Sequence, residues 1–231
     1  GVDSDQMIWG NSVAILTGDL IFSRASLLVS ELGTRPMKIQ SQTFERLVLG
    51  QLFETTGPRE GQDLLDHYIA VIEGKTGSLI AAAGEYGSLL SGASEDVISM
   101  VKAYGELVGV AFQLADDVID IVSDGKTSGK TRGTDLREGV PTLPTILLDR
   151  AVAAGDESAI AVRGLLDADL SSDEALETAV EALAAHPVTQ EAWQIAYDWA
   201  DRAIAAIAPL PDSTAKAALE SFAHAVVHRE G

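Results

Sequence analysis

Residues 112–120 read Phe112-Gln113-Leu114-Ala115-Asp116-Asp117-Val118-Ile119-Asp120. On an α-helix, residues four apart share a face, so Asp116 and Asp120 project side by side. Asp117 lies about 100° round from Asp116. The neighbours Val108, Phe112, Ala115, Val118, Ile119 and Val122 are apolar. The pattern predicts a helix with one buried side and three carboxylates at its rim. Three anions this close repel. Two unit charges about 4 Å apart cost ~1 kcal/mol in water and ~4 kcal/mol at an effective dielectric near 20. A solvated surface tolerates that repulsion. A hard divalent cation relieves it, because Mg²⁺ takes carboxylate oxygens and then recruits phosphate. The triplet alone leaves both readings open.

The residues around it favour the cation. The acidic helix runs into a polar stretch, Ser123 to Glu138, that holds Gly125, Gly129 and Gly133 with Lys126, Lys130, Arg132 and Arg137. Carboxylates for a divalent ion beside lysines and open backbone amides are what a diphosphate needs. A second cationic point is Lys75-Thr76-Gly77, at a glycine-relaxed place in an otherwise helical stretch. By itself Lys75 reads as an ordinary exposed helix lysine. Two other readings of the loop fail. Gly125-Lys126-Thr127-Ser128-Gly129-Lys130-Thr131 is one residue short of a P-loop, and a helix rather than a strand precedes it. A calcium loop starting at Asp120 would have Val122 and Thr131 where ligands belong.

Working outward, helix dominates. Ser12 to Leu32 and Met37 to Glu54 read as helices, the second ended by Thr55-Thr56-Gly57-Pro58. Leu64 to Leu90 reads as one long helix or two abutting ones, interrupted at Gly74, Gly77, Gly84 and Gly87. Ser94 is a candidate N-cap for the acidic helix, which runs to about Ile121. Ser172 to Ala185, Val188 to Ile207 and Asp212 to His228 read as amphipathic helices. His224 and His228 share a helical face without a third ligand, and read as a surface pair. No repeat or linker divides the chain, so one all-α domain over 1–231 is expected.

Composition bounds the function. With 231 residues and 46% apolar content, the chain is long enough to bury a core. A net charge of −19 argues against nucleic acid, which needs a basic face. There is no cysteine, which removes disulfides, thiolate metal sites and cysteine nucleophiles. No uninterrupted apolar run approaches the ~20 residues of a membrane span, and no basic segment followed by an apolar stretch marks a secretory signal. A cytoplasmic protein without a membrane span is expected. The first residue is Gly1, and the chain is expected to be a processed or trimmed part of a longer one.

These segments, in this order, resemble the trans-isoprenyl diphosphate synthases, or polyprenyl synthetases. Gly10-Asn11 with Gly18-Asp19, Gly50-Gln51, Lys75-Thr76, and Phe112-Gln113 through Asp120 each resemble an element of that family. The fifth matching element is the closing loop, with Gly129-Lys130, Gly133, Asp135-Leu136 and Gly139 through Pro144. The resemblance implies an orthogonal bundle of the isoprenoid synthase type without its N-terminal helices. It implies head-to-tail transfer of an allylic prenyl group onto isopentenyl diphosphate, giving a medium- or long-chain polyprenyl diphosphate. In it, Asp116, Asp117 and Asp120 would bind Mg²⁺. Lys75, Gln113 and Lys130 would touch the allylic diphosphate, and Thr76 would help position it. The first two long helices would form the tunnel floor and a dimer surface, so a homodimer is expected. Two departures stand out. The family's first aspartate-rich motif would precede Gly1, which makes this chain alone an expected inactive piece. Val140 stands where many members carry lysine. A class I terpene synthase shares the chemistry but usually lacks this Lys-Thr and loop pairing. A non-catalytic or regulatory subunit of a heteromeric synthase is the alternative outside catalysis.

Overall fold

The computed structural model describes residues 4–123 and 132–228. Every regular element among them is helical. The chain divides into two units, Gly1–Arg46 and Leu47–Gly231. The first holds α1 (Asp5–Trp9) and α2 (Asn11–Ser30), and α3 (Thr34–Thr56) contributes to both units. Within the first unit the Phe22 and Phe44 rings lie 4.6 Å apart, and Gln40 donates to Ser26 Oγ at 2.9 Å. No described residue of α2 is buried, and Leu16, Leu20, Ile21 and Leu28 are exposed. By length and composition alone, α2 is apolar enough to cross a membrane. Counting unbroken apolar runs passes over this, because Asp19 and Arg24 interrupt α2 without changing its overall composition.

The second unit is built around α6 (Glu95–Val122). Val108, Val110, Ala111, Leu114, Ala115 and Val118 are inaccessible to solvent. These residues fill one side of the helix, while Gln113, Asp116 and Asp120 on the other side are only partly buried, so α6 has a fully buried face and a polar rim. It too is apolar enough for a membrane span, and its burial identifies it as a core helix. α11 (Pro187–Ala206) packs along it through Ala192, Ala196, Ala200 and Ala203, all buried. An alanine stripe lets two helices approach closely. α12 (Thr214–Val227) packs against both, and the Tyr104 hydroxyl donates to the Leu219 carbonyl at 2.6 Å.

The stretch 64–90 is helical throughout, but not uniformly. α4 (Leu64–Ile72) passes into a five-residue π turn (Glu73–Gly77) and then α5 (Ser78–Leu90). Of the glycines expected to interrupt it, Gly77 and Gly84 lie against α6, whereas a methyl group on Gly87 would meet nothing within 4 Å. A methyl group on Gly109 would sit 2.8 Å from the Gly77 Cα, and one on Gly105 would sit 2.7 Å from the Ile80 carbonyl oxygen. Backbone meets backbone at both points.

Beyond the acidic helix, the segment expected as loop contains a short α7 (Thr134–Glu138). Gly133 and Gly139 bracket it, both left-handed with φ near +70°, a conformation glycine adopts at no steric cost. A side chain at Gly133 would also collide with Val180. Two helices escape the sequence reading. α8 (Leu143–Ala153) begins behind a proline and a Thr142–Thr145 capping box, and α9 (Glu157–Leu166) is a short helix capped by Asp156. α10 (Asp173–Ala185) is capped by Ser172, which accepts from the Ala175 amide at 3.2 Å. His224, on the last helix, and His228, which caps its C-terminus, are both exposed, as expected of a surface pair.

Gly109→Ala sets two effects against each other. Alanine favours an exposed helix interior by about 1 kcal/mol over glycine. Forcing a methyl against the π turn costs about 1–3 kcal/mol. The nearest atoms are backbone and cannot step aside, so a net loss of stability is expected, read as a lower urea midpoint. A raised midpoint would show that the contact is loose.

Candidate active site

The C-terminal half of α6 carries Gln113 and Asp117 to the wall of a cavity of about 250 Å³. Tyr68, Lys75, Thr76, Gln113, Asp117 and Asp135 contribute polar groups to the lining. Val71, Ile72, Val140 and Ile146 supply apolar wall. Five segments meet here: the end of α3 with the turn after it, α4 with its π turn, α6, α7, and the start of α8.

Asp117 is the most enclosed of the acidic residues, with 4% exposure. Its Oδ2 accepts from the Tyr68 hydroxyl and, at 3.0 Å, from the backbone N–H of Leu143. Leu143 is the first residue of α8, so the carboxylate lies against the positive end of that helix. Its Oδ1 accepts from Gln113 Nε2 at 3.3 Å. Burial pushes the Asp117 carboxyl up to about 7, against the downward pull of the Tyr68, Leu143 and Gln113 hydrogen bonds. Burial, and then the charge of Asp117, hold the Tyr68 hydroxyl well above its ordinary range.

Asp116 and Asp120 differ from it. Both are half-buried and lie four residues apart on α6, as the periodicity predicts. The Asp120 carboxyl is raised by burial and by the neighbouring Asp135. The Asp135 amide points at Asp120 Oδ2 from 3.4 Å. The chain returns to this helix end through two further contacts. The Gly133 amide donates to the Asp120 carbonyl at 2.9 Å, and Arg132 Nε donates to the Ile121 carbonyl at 2.5 Å. The Arg132 guanidinium also meets Glu177 of α10 at 3.1 Å.

The cationic side is set by the π turn. Lys75 and Thr76 lie within it. Thr76 Oγ1 donates to Gln113 Oε1 at 3.2 Å, and Gln113 in turn reaches Asp117. One amide therefore links the π turn to the acidic cluster. The structure brings Lys75, Thr76, Gln113 and Asp117 to one cavity, with Asp116 and Asp120 on the adjoining helix end. Lys130 lies outside the described residues. Tyr68 and Asp135 are site residues that sequence reasoning missed. Tyr68 sits two helical turns ahead of Lys75, a spacing that signals a shared face. Asp135 lies in the first turn of a short helix between two glycines, a pattern that marks a fixed turn.

The residues suit a magnesium ion of one coordination style. Among the described residues, no three acidic or histidine side chains converge as a closed cage. Asp117 already receives three hydrogen bonds. Asp116 and Asp120 are half-buried on the same helix, within reach of solvent. Mg²⁺ keeps several waters and uses one or two carboxylates plus substrate phosphate, so this donor set fits it.

The Asp117 carboxyl gives a stability signature. In the unfolded chain it loses its proton near pH 4, whereas in the folded protein it keeps it to about 7. Its contribution to stability is present below pH ~4 and lost as pH rises through ~7. An amide in its place does not titrate and has no such dependence. In metal-free buffer, urea midpoints should show the stability of Asp117→Asn relative to wild type improving steadily from about pH 4 to 7. A constant difference would refute the raised carboxyl.

The site can be compared with known proteins. The polyprenyl synthetase family model matches residues 1–183. The chain is 39% identical to a nonaprenyl diphosphate synthase of Mycobacterium tuberculosis, over all of this chain and 68% of that protein. It is 32% identical to the octaprenyl diphosphate synthase of Escherichia coli, over 96% of this chain and 68% of that one. A crystal structure of geranylgeranyl pyrophosphate synthase from Corynebacterium glutamicum, complexed with calcium and isoprenyl diphosphate, superposes with a TM-score of 0.85 at 41% identity. That match covers 99% of this chain and 70% of the other. A decaprenyl diphosphate synthase from Rhodobacter capsulatus gives a TM-score of 0.83 at 32% identity, covering 100% and 71%. With an all-α bundle, a lysine-bearing π turn and an acidic helix end around one cavity, and with these likenesses along its whole length, the chain belongs to the polyprenyl synthetase family.

Proposed function

We propose that the protein elongates prenyl chains by head-to-tail condensation. An allylic prenyl diphosphate and isopentenyl diphosphate would give a longer polyprenyl diphosphate, inorganic diphosphate and a proton. The observation that carries this reading is the Gln113 bridge, which holds a cationic π turn and an acidic helix end to one cavity. Lys75 would donate to the oxygens of the allylic diphosphate, where negative charge grows as the carbon–oxygen bond breaks. Thr76 and Gln113 would orient the same group, and Lys130 would approach it from the loop. Asp116 and Asp120 would hold Mg²⁺, which supplies positive charge to the leaving diphosphate when bound. The neighbouring solved structure with calcium and isoprenyl diphosphate supports a divalent ion.

Asp117 would serve that pair by fixing the helix end against Tyr68 and α8. Val71, Ile72, Val140 and Ile146 would shield the reacting carbon from water. Valine at 140 has no donor, so this wall contributes shape and dryness, leaving Lys75 and Lys130 to meet the diphosphate. The nonaprenyl, octaprenyl and decaprenyl synthases among the relatives favour a medium- or long-chain product. A homodimer is part of the same proposal, supported by the exposed apolar side chains of α2.

Labelled isopentenyl diphosphate, Mg²⁺ and a geranyl, farnesyl or geranylgeranyl primer should give products longer than geranylgeranyl diphosphate, resolved by chromatography. No incorporation with any primer would sink the proposal, and products ending at geranylgeranyl would sink its chain-length part. Asp116→Ala should lower turnover by about 10²-fold or more while leaving the far-ultraviolet circular dichroism unchanged. Full turnover would refute the metal assignment. Sedimentation velocity should return twice the chain mass, and a monomer would remove the dimer.

A further inference from the structure

The cationic side of the cavity is already occupied by an anion of the protein's own. Lys75 Nζ lies 2.6 Å from Glu54 Oε2, and both residues line the cavity. Neither is buried, with side-chain exposures of 32% for Lys75 and 39% for Glu54. A pair this open usually holds no fixed geometry, because solvent competes and two long side chains resist being ordered. Here it is held from both ends. Gln51 Nε2 donates to the same Glu54 oxygen at 2.7 Å, one helical turn away on α3. The stem of Lys75 lies against Gly50, where a methyl group would come within 3.1 Å of both Lys75 Cγ and Lys75 N. Three residues of α3 therefore aim one lysine: Gly50 gives its stem room, Gln51 orients the carboxylate, and Glu54 holds the ammonium.

We infer that Glu54 is a positioning residue that competes with diphosphate for Lys75, weakening diphosphate binding and easing its departure. The inference rests on the reading of Lys75 as a diphosphate-binding group. A diphosphate arriving at Lys75 must displace the Glu54 carboxylate or accept it as a close neighbour. Either way, Glu54 opposes the ligand by charge. The opposition has a use. Each condensation releases an inorganic diphosphate, a compact anion attracted to every cation in the cavity. A carboxylate that reclaims the ammonium shortens its stay. Between turnovers the same contact keeps Lys75 extended toward the cavity, so the next substrate meets a preset cation.

The test is a double-mutant cycle on binding of inorganic pyrophosphate in the presence of Mg²⁺, measured by calorimetry on the whole chain. Glu54→Gln keeps length and hydrogen-bonding ability while removing the charge. It should bind pyrophosphate roughly 3- to 10-fold more tightly than wild type. Lys75→Gln should bind it about 10-fold more weakly or worse. In the Lys75→Gln background, adding Glu54→Gln should change nothing, because the contested cation is gone. An unchanged or weakened affinity for Glu54→Gln alone, beside a weakened Lys75→Gln, overturns the role of Glu54 and leaves Lys75 as a diphosphate ligand. Equal tightening with and without Lys75 overturns it too, by showing a diffuse charge effect. If Lys75→Gln binds pyrophosphate as wild type does, the diphosphate reading of Lys75 fails, and the role of Glu54 falls with it.

Discussion

One buried carboxylate ties this site together. Asp117 reaches three partners from a position in the core: a tyrosine on α4, the first amide of α8, and a glutamine one turn back on its own helix. A charge with so little access to water is stable only when hydrogen bonds and helix ends replace the lost hydration. Each of its partners is therefore held in place as well. Tyr68 fixes α4 just before the π turn. Leu143 fixes the start of α8, and with it the apolar wall at Ile146. Gln113 passes the constraint on to Thr76. Remove the carboxylate and three donors lose their common acceptor at once.

The two ends of the cavity are built on different principles. The acidic end is made within one helix, where four-residue spacing sets Asp116 beside Asp120 whatever the rest of the chain does. The cationic end is made between helices. Lys75 depends on the π turn for direction, on Gly50 for room and on Glu54 for a resting partner. A chain carrying a net charge of −19 thus presents a cation at one chosen point, by arrangement rather than by number.

This difference governs what could be read from the sequence. The i, i+4 aspartates, the buried apolar side of α6 and its start at Ser94 are local facts of period and cap chemistry, and all were legible. So was the all-α class. What escaped depends on contact between distant segments. Asp117 reads as the twin of Asp116, and only the arrival of Tyr68 and α8 separates the buried carboxylate from the half-buried one. Gly77 reads as an interruption by propensity, yet it is where the backbone of the π turn meets Gly109 of α6. α8 was hidden by Pro144, which marks a break inside a helix but is well placed in a first turn. The π turn has no period of its own within five residues, so nothing local announces it.

That turn carries a further consequence. A π turn adds residues without the matching rotation of an α-helix, so α4 and α5 are one rod with a phase slip in its middle. The face that α4 gives to Asp117 through Tyr68 is not the face that α5 would give by simple continuation. The rod is free to offer Gly77, at the end of the turn, and Ala81 of α5 to the glycine ridge of α6 instead. A single rod thereby satisfies two neighbours that a regular helix would have to serve in one register. The lysine falls at the slip itself, where the rod is least committed to either neighbour.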